Sequence, residues 1–190
     1  MCINRLLREL QTAQREHDVK AHKDVYFLPN QDRIKHLTLH IAKYAGRMSR
    51  KEVTKREVAA TLVDGFIITL SAAECLGIEL SASLGELLSL DQHSDLKSLG
   101  LDLSKSEGIG LDFNDWYFRK LADTAGRMSK ACEALDHIES FPYREVLSSA
   151  AVDLCRTSLI AAAILDVNLD TAVRERWREI ESKRESLQIP

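Results

Sequence analysis

The chain has 190 residues, 45% of them hydrophobic and 29% charged, with a formal net charge of −3. This length suits one domain of ordinary size or two very small ones. The composition argues against disorder, and the charge leaves no global basic field of the kind that draws nucleic acid.

In chain order, the N-terminal MCINRLLREL has no long apolar core, which argues against a secretory signal. Ile3, Leu6, Leu7, Leu10 and Ala13 recur at helical spacing and predict an amphipathic helix over 3–20. Residues 23–30 read as a connector, and Pro29, Asn30 and Asp32 signal the start of a helix over 32–50. The stretch 55–76 is apolar nearly all round and predicts a core helix. Residues 89–112 contain Gly100, Gly108, Gly110 and several serines, and read as a linker. Two further helices are expected beyond it, over 114–135 and around 150–169, and a charged helix closes the chain. Asp64, Glu74, Asp153 and Arg156 interrupt the two most apolar stretches, which argues against membrane spans and, by elimination, for a cytoplasmic protein. Cys2, Cys75, Cys132 and Cys155 form no CxxC pair and read as buried thiols rather than a zinc site or disulfide framework.

The chain repeats itself. AGRMS at 45–49 returns at 125–129, an offset of 80. An offset of 89 then aligns Val63-Asp64 with Val152-Asp153, and Leu70, Ala72, Ala73, Leu76 and Leu80 with Leu159, Ala161, Ala162, Leu165 and Leu169. The change of offset places an insertion near 136–143, in a helix–helix connection, where loops absorb it cheaply. The expected fold is all-α: a bundle of two fused helical hairpins related by a pseudo-twofold axis. Residues 1–88 carry the first copy and 113–190 the second, within one compact domain.

HLTLHIAKYAGRMS followed by EVAATLVDGFIITLSAAECLGIELSASL, together with the closing LDVNLDTAVRERWREIESKR, resembles the MazG-like all-α nucleotide pyrophosphatases. Members of that family cleave nucleoside triphosphates with magnesium ions held by an ExxE pair on one helix and an ExxD pair on the next. Residues three apart share a helix face, so two facing helices present four carboxylates to a hard cation, which activates water and neutralises phosphate charge. The resemblance places Tyr44, Arg47, Thr61 and Asp64 at these positions in the first copy, and Thr124, Arg127, Ala150 and Asp153 in the second. Only the aspartates retain a carboxylate. An arginine at a ligand position repels a metal ion, so the expected replacement is a pair of salt bridges, Arg47–Asp64 and Arg127–Asp153.

This implies a protein that has lost pyrophosphohydrolase activity, needs no cofactor and serves as a binding or protein-interaction module, with a nucleotide or protein partner or a second copy of itself. The alternative is a magnesium-dependent enzyme with rearranged ligands: Glu57, Asp64, Glu74 and His40. His36 and His40 share a helix face and suit either a metal or a hydrogen bond between them. Lys43, Arg176, Lys183 and Arg184 are candidate phosphate contacts. Against that role, the acids interleaved near the C-terminus favour an exposed helix laced with ion pairs. Trp116 and Trp177 are expected to pack into the bundle rather than stack on a base.

Overall fold

The computed structural model describes residues 2–85, 90–109 and 112–187. Their regular structure is helical, with no strand among them. The helices are α1 (Ile3–Ala21), α2 (Lys23–Tyr26), α3 (Asn30–Met48), α4 (Lys55–Leu76), α5 (Leu80–Gly85), α6 (Leu96–Ser104), α7 (Phe113–Asp136), α8 (Tyr143–Ile164) and α9 (Leu169–Leu187), with a short 3-10 turn at Leu90–Gln92.

Local chemistry accounts for the bounds of α4. Thr54 Oγ1 accepts from the Glu57 backbone N–H at 3.2 Å, and Glu57 Oε2 accepts from the Thr54 N–H at 3.0 Å, so the two residues form a capping box. At the other end Gly77 takes φ 66°, and Ile78 N–H bonds back to the Ala73 carbonyl at 2.8 Å. The same closure ends α8. Asp166 takes φ 57°, and Val167 N–H reaches the Ala162 carbonyl at 2.8 Å. Asp166 stands 89 positions after Gly77. It is among the few non-glycine types that tolerate this left-handed conformation.

Packing follows the apolar pattern. α4 buries Leu62, Phe66, Leu70 and Ala73 completely, and α8 does the same with Ala150, Cys155, Leu159 and Ala161. α3 lies against α7 and α4 against α8, while α3–α4 and α7–α8 form the two hairpins. α1 covers α4, and α6 covers α8. α4 and α8 are long and apolar enough to cross a membrane, but 72% and 67% of their most apolar windows is buried inside the protein.

One expected element differs. The segment read as a linker carries α6, which buries Leu96, Leu99 and Leu103 and is capped by an Asp95–Ser98 capping box. Gly100 here serves close packing rather than chain reversal. A Cβ at this position would overlap the Leu159 carbonyl oxygen and lie 2.8 Å from the Ala163 Cβ. Gly110 of the same segment lies outside the described residues.

Candidate functional site

In the first hairpin, the last turns of α3 face the first turns of α4. Tyr44 is buried, and burial, followed by the nearby Asp64 charge, pushes its phenol well above the usual range. Arg47 donates from Nη1 to Thr61 Oγ1 at 3.1 Å and lies 5.7 Å from the centre of the Tyr44 ring. Asp64 is engaged by α9: Arg176 Nε donates to its Oδ1 at 2.8 Å. The expected Arg47–Asp64 pair is therefore replaced by Arg47–Thr61 and Arg176–Asp64. A neutral hydroxyl beside Arg47 and a guanidinium from a distant helix satisfy the two groups separately.

Lys43 completes this face. Its ammonium lies 4.9 Å from the centre of the Tyr44 ring and 3.2 Å from His40 Nδ1. Burial lowers the Lys43 pKa, and Arg47 and Arg176 push it in the same direction while Asp64 opposes them. Lys43, Arg47 and Arg176 thus gather near Asp64, with Glu179 also paired to Arg176 at 3.0 Å, and among the described residues neither Lys43 nor Arg47 forms an ion pair. Tyr117 of α7, absent from the sequence reading, reaches the same region from the other hairpin. It is fully buried, its hydroxyl has no hydrogen-bond partner, and it lies 3.5 Å from where a Cβ on Gly65 would stand.

In the second hairpin, Arg127 Nε donates to Asp123 at 2.9 Å, and its Nη1 forms an ion pair with Asp153 at 2.9 Å. Thr124 and Ala150 are buried beside them. Lys120 pairs with Glu107 at 2.7 Å. The charged groups and Thr124, with Arg156 and Thr157, line a cavity of about 250 Å³.

The rearranged-ligand set does not come together. Glu57 is held by its cap and by Arg50 at 2.6 Å, while Glu74 takes Arg33 at 2.6 Å. Glu57, Asp64 and Glu74 are spread along one helix, which separates their carboxylates over several turns. Among the described residues, no three His, Cys, Asp or Glu side chains are placed to hold a metal ion. His36 and His40 instead share a hydrogen bond, Nε2 to Nε2 at 3.1 Å. The Lys43 ammonium can only donate, so His40 Nδ1 accepts from it and His40 Nε2–H donates to His36. Burial, then Lys43 and His36, holds His40 neutral by lowering its pKa to about 4.

Of the remaining phosphate candidates, Arg184 is engaged at the far end of α9, by Asp24 at 3.3 Å and His22 Nδ1 at 3.2 Å. Lys183 is exposed and forms no ion pair among the described residues. Trp116 and Trp177 are both 7% exposed, and Trp177 Nε1 donates to Gln14 Oε1 at 2.7 Å. Comparison of the chain with protein-family models, curated proteins and solved structures gave no match.

Proposed function

We propose that this chain is a MazG-like protein of two hairpins about a pseudo-twofold axis, that its metal-dependent hydrolysis is lost, and that the face formed by α3, α4 and α9 binds a phosphate-bearing ligand such as a nucleotide. The observation that carries this reading is the charge balance around Asp64. Lys43, Arg47 and Arg176 share this face with Asp64 and with Glu179, which also pairs with Arg176 at 3.0 Å, and two of the three cations have no acidic partner among the described residues. A phosphate group supplies the missing negative charge, and guanidinium forks match its oxygens in pairs. The pseudo-twofold part of the reading is supported by the pairing of α3 with α7 and of α4 with α8, and by the shared closure at Gly77 and Asp166. Magnesium belongs only to the alternative reading, an active pyrophosphatase.

A pyrophosphate-release screen over nucleoside triphosphates with magnesium and manganese, run beside nucleotide titrations by calorimetry, separates the two. Nucleotide binding should weaken with added salt and fall about tenfold or more in Arg47→Ala, the loss of roughly one charge-assisted contact. No metal-dependent pyrophosphate release should accompany it. Sustained release would establish the alternative, and binding that ignores Arg47 would place the ligand elsewhere.

A further inference from the structure

A second feature of the bundle lies apart from the Asp64 face. Between α1, α2, α3 and α4 is a cavity of about 80 Å³, room for a ligand of a few heavy atoms. Leu37, Ile67 and Ile68 supply its apolar lining, and the rings of His22, Tyr26, His36 and His40 add to it. Its one lining carboxylate is Asp18, which is 9% exposed.

The hydrogen bonds define what Asp18 offers. Trp177 can only donate, so Gln14 turns its oxygen to the indole and its amide NH2 to Asp18 Oδ1, at 2.8 Å. Ser71 Oγ donates to Asp18 Oδ2 at 2.7 Å. Both bonds are neutral, and no cationic nitrogen lies within 4.0 Å of Asp18 among the described residues. A carboxylate has about four acceptor positions, so capacity remains. Burying a carboxylate without a counter-charge is costly, and a cation entering the cavity offsets that cost.

The other lining groups do not compete for it. Arg33, the one permanently charged cation in the lining, is held by Glu74 at 2.6 Å and lies over the Tyr26 ring at 4.7 Å. His22 accepts from Arg184 at 3.2 Å through Nδ1, and burial, then Arg184, lowers its pKa. His40 is likewise neutral. With Arg33 balanced by Glu74, the enclosure keeps the single negative charge of Asp18.

We infer that this cavity is a binding site for a small organic cation, a primary ammonium or amidinium group seated on Asp18 and walled by the surrounding rings. The charged head takes the free acceptor positions of the carboxylate. The rings add cation–π attraction, and the short alkyl portion lies on Leu37, Ile67 and Ile68. The inference does not rest on the phosphate reading, because it uses different residues and a ligand of opposite charge.

The test uses the full-length protein and two pairs of near-isosteric probes: propylammonium against propanol, and acetamidinium against acetamide. Binding is followed by ligand-observed NMR and by chemical-shift changes of the histidine ring protons. Each cation should bind about tenfold or more tightly than its neutral partner. Asp18→Asn keeps the size and leaves Ser71 and Gln14 able to hydrogen-bond, so its melting curve reports on folding while its titration reports on charge. It should bring the cations down to the level of the neutral probes. Ile68→Phe, which fills the cavity, should abolish both. Equal affinity for charged and neutral probes, full cation binding in a folded Asp18→Asn protein, or no binding by any probe would each overturn the inference.

Discussion

At the α3–α4 hairpin Asp64 takes its guanidinium from Arg176, 112 residues further along the chain, whereas at the α7–α8 hairpin Asp153 takes it from Arg127 of its own hairpin. Both copies carry the same arginine and aspartate in the same register, so their neighbours decide the outcome. Four residues before each arginine stand Lys43 and Asp123. Asp123 anchors Arg127 from within α7, and Asp153 completes a bridge of two carboxylates on one guanidinium. Lys43 repels Arg47 instead, and Thr61 offers it a hydroxyl where the second copy has only the methyl of Ala150. Coverage differs as well. The Asp64 side chain is 16% exposed beneath α9, and that of Asp153 is 50% exposed. The two sites thus differ in charge, one with excess positive charge and one that is balanced.

What covers each hairpin gives the strongest way to break this comparison. α6 lies on α8 through Gly100, where an added methyl group meets backbone that side-chain motion cannot clear. Gly100→Ala should cost about 3 kcal/mol, the upper part of the usual range for overpacking, read from denaturant melts. The lesion belongs to the second hairpin, so hydrogen exchange should rise first in α8 while α4 keeps its protection. A loss below about 0.5 kcal/mol would show that α6 is not seated on α8 as described.

The two aspartates offer a more direct contrast. Arg176→Ala strands a largely covered carboxylate, and should cost about 2 kcal/mol after discounting for the partly exposed arginine. Arg127→Ala releases two carboxylates that water reaches, and should cost less than about 1 kcal/mol. Arg47→Ala removes no ion pair and should fall in this smaller class. If Arg47→Ala proved the most harmful of the three, Asp64 would depend on Arg47 after all, and the divergence argued above would fail.

These contrasts also show which parts were legible in the sequence. The apolar stretch 55–76 matches α4, whose bounds have local causes: Thr54 and Glu57 at one end, Gly77 at the other. The 89–112 segment reads as a linker because glycine and serine also punctuate loops. Here Ser98 completes a helix cap and Gly100 admits a neighbouring backbone, and only the position of α8 reveals that. The paired register of Arg127 and Asp153 was visible within one hairpin. The partner of Asp64 was not, since α9 reaches it across the bundle. Arg176 itself was singled out as a phosphate contact, but not as the group that holds the aspartate. Tyr117 and Asp18 carried no signal in the sequence pattern, because their significance comes from helices that pack long after them or before them in the chain.

The finest distinction between the hairpins is their response to acid. His40 stands where the second copy has Lys120. Lys120 is paired with Glu107 at 2.7 Å. His40 is neutral in the folded protein, with its pKa lowered from 6.5 to about 4, chiefly by burial and then by Lys43 and His36. The unfolded chain therefore binds a proton at His40 in a range where the folded chain does not. Its contribution to stability is complete above about pH 6.5 and is lost as the pH falls toward 4. Between pH 7 and pH 5 this loss should be about 1 kcal/mol, since the site is partly open to water and Lys43 can move away. The comparison is wild type against His40→Gln, which keeps a hydrogen-bonding side chain of similar reach but does not titrate. Denaturant midpoints of wild type should fall further on acidification than those of His40→Gln, with the excess confined to this window. Parallel curves for the two proteins would mean that His40 takes up its proton as readily in the folded state as in the unfolded one. The His40–His36 hydrogen bond would then not persist in solution, and the acid response would no longer separate the first hairpin from the second.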